Sequence, residues 1–236
     1  KPVFDDIVVL LTPATEWKDI QDLIGNKKFS WAKSELENVE PLSKTSIIQL
    51  ADMVMSTINR LNVLTHQKSE SKAIENFLKK LFEKIKPKIE LLKGIVDTPN
   101  AKGETVLHIM FKGVLRKEQE SYDAEPARMS ILELLFEALP DTSLKTKDGE
   151  TVADILIGEC CSAQFKETDS IILAKGSLQK AFSLLVEHDN AFLDRQIKFA
   201  NEGTYSLIEL ASERNLTESI PIIINKMIGR GRAEEV

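Results

Sequence analysis

The stretch that decides the fold is GETVLHIMF at residues 103–111, because its first four letters return unchanged in GETVADILI at residues 149–157. In each copy a glycine and a threonine precede apolar residues at helical spacing. Glycine tolerates the positive φ of a tight turn, and a threonine hydroxyl can accept a hydrogen bond from the free amides of a first helical turn. Each copy therefore predicts a turn that leads directly into a helix.

Two looser copies extend this pattern along the chain. GTYSLIELA at residues 203–211 keeps the glycine and the apolar helix. KTSIIQLA at residues 44–51 is more degenerate, since it lacks the glycine but keeps the threonine and the apolar residues that follow. The openings lie 46 residues apart (149 minus 103), 54 apart (203 minus 149) and, for the loosest copy, 60 apart (105 minus 45). A helix start that recurs along the chain is typical of stacked helix pairs, since one pair alone cannot bury its apolar side.

A second apolar run follows each opening and predicts a second helix. ILELLFEA at 131–138 and AFSLLV at 181–186 both suit a helix that buries a wide stripe. Polar connectors at 97–102, 141–148 and 189–202 then lead to the next opening.

The N-terminal part is less regular. Residues 45–64 and 71–94 keep helical periodicity, and Pro87 is predicted to kink or break the second of these runs. Residues 1–40 do not match the repeat, but their apolar spacing predicts two or three short helices. We interpret them as the cap that the end of a stack needs, with a separate partner-binding helical module as the alternative.

The repeated residues resemble the ankyrin repeat family over about residues 41–230. GETVLH at 103–108 is similar to the family's helix start, with Val106 in place of its proline, and DTPNA at 97–101 is similar to its turn. The resemblance implies an all-α, ankyrin-like helical solenoid, with a cap over 1–40 and about four helix pairs over 41–236. Because the family repeats about every 33 residues, each unit here carries extra residues.

The extra residues of the two clearest units fall mainly between their helices. We interpret the polar stretches around 116–127 and 162–175 as insertions. With its unequal spacing and abundant lysine and isoleucine, the chain further resembles the ankyrin-type effectors that intracellular bacteria deliver into host cells.

Composition excludes several classes of protein. The 236 residues are 42% hydrophobic and 29% charged, which is usual for a folded domain and excludes intrinsic disorder. The formal net charge of -6 is the wrong sign for a protein that neutralises phosphates, so we expect no nucleic-acid partner. No stretch approaches the roughly 20 apolar residues of a membrane-spanning helix, so no membrane insertion is predicted.

The two cysteines are adjacent, Cys160 and Cys161, and cannot form a loop-closing disulfide of the kind that secreted domains use. We therefore predict a reducing compartment, the cytoplasm, which for a delivered effector would be the host cytosol. These cysteines with His108 or His188 could make a nucleophilic site, but no base held by an orienting group is evident, so catalysis is not predicted. Neither a metal site nor a cofactor is predicted, because the spacing of the cysteines and histidines does not suit a tetrahedral site.

The ankyrin resemblance also assigns a structural role to His108. In that family a histidine at this place hydrogen-bonds between neighbouring loops. Asp154 holds the equivalent place in the next unit and can make a similar local bond.

By resemblance, the chain is predicted to be a non-catalytic protein-interaction module that binds an unidentified protein through connector tips and first helices. Charged residues at these places are the candidate contacts, and two tyrosines are added as the aromatic anchors that dominate many interfaces. The candidate protein-binding residues are Lys102, Glu104, Lys112, Tyr122, Lys147, Asp148, Glu150, Glu159, Glu202 and Tyr205.

Two other functions stay open. The repeats could recruit substrate for an enzyme whose catalytic part lies in flanking sequence or in the inserted loops, around Cys161. They could also be a structural spacer, which would capture no partner.

Overall fold

A computed structural model gives the structure of the chain. It describes residues 24–26, 29, 32–33, 47–64, 68–87, 89–114, 124–162, 169–199 and 203–231. Most of these residues are helical, so the all-α prediction is confirmed. Most of the predicted cap at 1–40 lies outside the described residues.

Along the described ranges the helices and strands follow in a simple order. They are α1 (Ile47–Asn62), α2 (Lys68–Ile85), α3 (Ile89–Asp97), α4 (Val106–Val114), α5 (Glu125–Glu137), α6 (Val152–Ser162), α7 (Asp169–His188), α8 (Asn190–Leu193), β1 (Ile197–Phe199), β2 (Gly203–Tyr205), α9 (Leu207–Glu213) and α10 (Ser219–Gly229). The two strands form one antiparallel hairpin.

The helices contact one another in two rows that follow chain order. In one row α1 packs on α4 and α4 packs on α6, and in the other α2 packs on α5, α5 on α7 and α7 on α10. Within units, α1 contacts α2, α4 contacts α5, α6 contacts α7 and α9 contacts α10. Each pair therefore buries apolar surface against its neighbour as well as within itself.

Aromatic side chains mark the shared core. One hydrophobic cluster includes four fully buried phenylalanines on α2, α4, α5 and α7, which are Phe77, Phe111, Phe136 and Phe182. The rings of Phe111 and Phe136 lie 6.4 Å apart between centroids, which joins α4 to α5 within the usual range for aromatic pairs. The apolar runs of the sequence thus form one continuous core along the rows.

Two prolines lie at the ends of helices, one after α2 and one at the start of α5. Pro87 lies in the turn between α2 and α3, so the predicted break is confirmed. Pro126 lies in the first turn of α5, where its missing N–H is not needed. The predicted insertion loop over 116–127 is therefore wrong for its last residues, and the one over 162–175 is wrong for 169–175, which belong to α7.

The connector predicted at 189–202 contains regular structure. Asp189 caps the short helix α8 by accepting hydrogen bonds from two of its amides, and Phe192 and Leu193 on that helix are buried. Ile197 is also buried and pairs with Tyr205 in the hairpin. The prediction of a plain polar connector is wrong, because these apolar residues anchor the segment to the core.

Charged side chains link the row of second helices. Lys86, just after α2, contacts Glu137 of α5 at 2.7 Å, and Glu133 of α5 contacts Lys180 of α7 at 2.5 Å. These pairs are exposed or half-exposed, and such pairs contribute about 0–1 kcal/mol each. These ion pairs therefore connect neighbouring units along the row of second helices.

Candidate interaction surface at the connector tips

The first tip, residues 100–104, is a tight turn held by its own main chain. The Asn100 N–H donates to the Glu104 carbonyl at 2.9 Å, and the Gly103 N–H donates to the Asn100 carbonyl at 2.9 Å. The Asn100 side-chain oxygen accepts from the Lys102 and Glu104 N–H groups at 2.8 and 3.0 Å. Gly103 has φ +77°, which glycine adopts without strain.

The second tip, residues 146–150, repeats this turn. The Thr146 N–H donates to the Glu150 carbonyl at 2.9 Å, and the Gly149 N–H donates to the Thr146 carbonyl at 3.0 Å. The Thr146 hydroxyl takes the place of the asparagine side chain by accepting from the Glu150 N–H at 3.3 Å. Gly149 has φ +84°. The prediction that the two identical tetrapeptides form turns leading into helices is confirmed.

A main-chain hydrogen bond joins the two tips. The Lys147 N–H donates to the Lys102 carbonyl at 2.9 Å. The approach is so close that a β-carbon on Gly103 would lie 2.8 Å from the Lys147 nitrogen. Gly103 is therefore required both for its positive φ and for this contact.

His108 adds a second link between the tips. Its Nδ1 accepts from the Thr105 N–H at 3.2 Å, so the ring carries its proton on Nε2 and donates it to the Glu150 carbonyl at 3.3 Å. Burial lowers the pKa of His108 and outweighs the bond to this carbonyl, which acts in the opposite direction. The predicted bond between neighbouring loops is confirmed, and it uses the neutral ring.

Asp154 occupies the same place in the next unit and is held differently. Its carboxylate accepts from the Thr151 N–H at 2.8 Å, and its own N–H donates to the Thr151 hydroxyl at 3.2 Å, which together cap α6. Burial acts to raise the pKa of Asp154, but bonds from Thr151 and Arg195 outweigh it and lower the pKa. The predicted local bond is confirmed.

We call the contacts of His108 the first joint and those of Asp154 the second joint. Arg195 completes the second joint and was missed by sequence reasoning. Its guanidinium donates to the Asp154 carboxylate through Nη1 and to the Thr151 hydroxyl through Nη2, the latter at 2.9 Å. Arg195 follows α8, 41 residues from Asp154, so no local pattern marks the pairing.

Four of the candidate contact residues lie together on the exposed edge of the tips. They are Lys102, Lys147, Asp148 and Glu150. Within the described residues, their side chains make no hydrogen bond or ion pair. These charges are available to a partner.

Glu104 and Lys112 are instead engaged with each other. The Lys112 ammonium lies 2.8 Å from one Glu104 oxygen, and the Asn100 amide donates to the other at 2.9 Å. Burial acts to raise the pKa of Glu104, but these hydrogen bonds and the nearby lysines outweigh it and lower the pKa. The pair fixes α4 to the first tip, so neither side chain is a free contact.

The remaining candidates do not join this surface. Tyr205 is half-buried against the core on β2. Tyr122 and Glu202 lie outside the described residues, as do the side chains of Glu159 and Cys161. The side chain of Cys160 is fully buried and forms no disulfide within the described residues.

A groove of about 490 Å³ borders the first tip, between α1 and α4. Its lining includes Asn59, Asn62, Asn100, Lys102, Glu104 and Lys112. The sequence analysis found three of these residues and missed the asparagines. A signal was present, because two asparagines on α1 and a glycine within α4 are poor helix formers at helical positions.

Asn62 forms the buried wall of this groove. Its amide donates to the Ile109 carbonyl at 2.9 Å, and its side-chain oxygen is buried and accepts no hydrogen bond from the residues that the structure describes. A β-carbon on Gly113 would lie about 2 Å from this amide, so the glycine leaves the space that Asn62 fills.

Comparison of the chain with protein-family models, curated proteins and solved structures finds no match. The tips and the groove are therefore the features of the molecule that bear on its function. Among the described residues, no group of three or more His, Cys, Asp or Glu side chains could hold a metal ion. No helix in the same ranges is long and apolar enough to cross a membrane.

Proposed function

We propose that this chain is a non-catalytic protein-recognition module, an ankyrin-like helical solenoid that binds a partner protein through its connector tips and first helices. The observation that carries the proposal is the paired tips. Two turns of equal geometry are tied by the Lys147–Lys102 main-chain bond and present four unpaired charges side by side. The two rows of helices in chain order support the solenoid.

This surface suits recognition because it is already in place before a partner arrives. The main-chain bonds and the His108 link hold the tips, so binding loses little conformational entropy there. Exposed charges mainly set the choice of partner and the rate of association. Within the described residues the buried Cys160 forms no disulfide, which suits a reducing compartment such as the cytoplasm.

The test reverses the charges of the tips. A variant with Lys102→Glu, Lys147→Glu and Glu150→Lys is compared with wild type in affinity capture from cell extract, read by mass spectrometry. The matched control carries Lys93→Glu on α3 and Glu213→Lys on α9, both exposed sites outside the tips. We expect a partner that binds wild type and the control and is lost by the tip variant.

Circular dichroism of all three chains should give the same helical content and similar melting curves. A partner that binds the tip variant as well as wild type would show that the tips are not the interface. Capture of nothing by any chain would favour the structural spacer.

A further inference from the structure

The groove beside the first tip contains polar groups that the fold does not use. Within the described residues, the Asn59 amide and the Lys102 ammonium make no hydrogen bond, and both line the groove. Asn100 and Glu104, in contrast, are engaged within the tip. A molecule bound in the groove can therefore contact the Lys102 ammonium and the Asn59 amide. The amide offers it two N–H donors and one acceptor oxygen.

Asn62, the buried wall of the groove, also has a polar atom without a hydrogen-bond partner among the described residues. The Asn62 oxygen lacks a donor, although Asn62 is more than nine-tenths buried. Buried polar atoms without partners are uncommon in folded proteins and call for an explanation. The fold uses the Asn62 amide in its bond to the Ile109 carbonyl, so only the oxygen of this side chain is without a use among the described residues.

Charge decides which ligands fit. Of the charged residues that line the groove, Lys102 and Lys112 are positive and Glu104 is negative, and Glu104 already pairs with Lys112. The groove is thus locally positive on a chain with a net charge of -6. Within the described residues no side chain forms an ion pair with Lys102, so a carboxylate of the ligand can form one.

We infer that the groove binds an extended peptide segment of the partner, with an Asp or Glu side chain at Lys102 and a main-chain peptide group at Asn59. This inference depends on the proposed function and specifies the chemistry of the partner. A peptide group has one N–H and one carbonyl, which match the acceptor and donors of an asparagine amide. A fully ionised phosphate monoester offers only acceptors and leaves the Asn59 oxygen without a donor. The volume lies within the usual range for ligand sites.

The experiment selects ten-residue peptides from a random display library on wild type, Lys102→Glu, Asn59→Ala and the control Lys93→Glu. Wild type and the control should enrich peptides that contain Asp or Glu. Lys102→Glu should instead enrich peptides with Lys or Arg at the same place. Because Asn59 and Lys102 are exposed, circular dichroism should show that both variants fold normally.

A selected acidic peptide is then titrated by isothermal calorimetry. Replacing its acidic residue by Asn or Gln should weaken binding to wild type about tenfold and leave binding to Lys102→Glu unchanged or stronger. Asn59→Ala should weaken the acidic peptide and its neutral version by the same factor, since it removes a contact with the main chain.

Enriched peptides without an acidic preference, or an acidic preference that survives Lys102→Glu, would overturn the inference. Inorganic phosphate is the second probe. If phosphate alone shifts the NMR signals of the groove and displaces the acidic peptide, the site is one for small anions. The proposed function is judged separately, by partner capture with a Lys147→Glu, Glu150→Lys variant that leaves every groove residue intact.

Discussion

The first and second tips have the same tetrapeptide and the same turn, yet different neighbours hold them. At the first, Gly103 touches the main chain of the second tip, and His108 donates to Glu150. At the second, no atom lies within 4 Å of the position that a Gly149 β-carbon would take, and Asp154 binds Arg195. The local sequence sets the turn, whereas the residue three positions after the threonine sets the joint to the next unit.

The glycines provide the largest test of this difference. Both have positive φ, so alanine at either costs about 1–2 kcal/mol of backbone strain. Gly103→Ala also forces a β-carbon against the Lys147 nitrogen, and overpacking of this kind adds about 1–3 kcal/mol. We expect urea unfolding to show the greater loss for Gly103→Ala. Equal losses would mean that the tips are not in close contact.

Removal of the second joint should have the next largest effect. Asp154→Ala removes a helix cap and the bonds from Arg195, with an expected loss of about 1–2 kcal/mol. Arg195→Ala should cost less, about 1 kcal/mol, because the pair is partly exposed. A double-mutant cycle measures the coupling between them.

Arg230→Ala is the matched control for Arg195→Ala. Arg230 pairs with Asp194, and this pair is about as exposed as Arg195 with Asp154 but lies away from the second tip. It should change the free energy of unfolding by less than about 0.5 kcal/mol. A loss from Arg230→Ala as large as that from Arg195→Ala would show that the second joint has no special role.

Acid should distinguish the two joints. The pKa of His108 is lowered in the fold, so the unfolded chain takes up the proton first and stability falls as pH falls below the ordinary value of 6.5. The pKa of Asp154 is also lowered, so its contribution is complete above the ordinary value of 3.8 and is lost only below it. Between pH 7.5 and 5.0 the loss of stability should therefore come from the first joint.

Urea titrations at pH 7.5, 6.0 and 5.0 test this with wild type and His108→Gln, whose side chain stays neutral. The variant should be less stable at pH 7.5 but lose less of its remaining stability by pH 5.0. The same loss in both chains would assign the acid sensitivity to another group.

The smallest effects are expected at the tip lysines. Lys102→Ala and Lys147→Ala should change stability by less than about 0.5 kcal/mol, because both side chains are exposed and unpaired. Lys112→Ala removes the bond to Glu104 and should cost up to about 1 kcal/mol. Thermal melts by circular dichroism rank the three, and a large loss at Lys102 would contradict its role as a free contact.

The sequence predicted the tips because their bonds are local. Asn100 and Glu104 are four residues apart, as are Thr146 and Glu150, so a duplicated tetrapeptide specifies a duplicated turn. The cap at Thr151 and the contacts of Thr105 with His108 are equally local. The apolar spacing predicted the second helices. Pro126 was misread because proline suits both a loop and the first turn of a helix.

The joints and the groove could not be predicted in the same way. Arg195 reaches a carboxylate 41 residues away, and Asn62 reaches a carbonyl 47 residues away across α1 and α4. Such pairs depend on how units stack, which periodicity does not specify. The hairpin of β1 and β2 was missed because its strands have only three residues each.

The bond between Lys147 and Lys102 involves no side-chain atom. Substitutions at positions 147, 148 and 150 that leave the glycine intact should therefore alter what the edge recognises without altering the spacing of the two turns. For protein engineering, this pair of turns is a scaffold onto which short recognition sequences can be grafted.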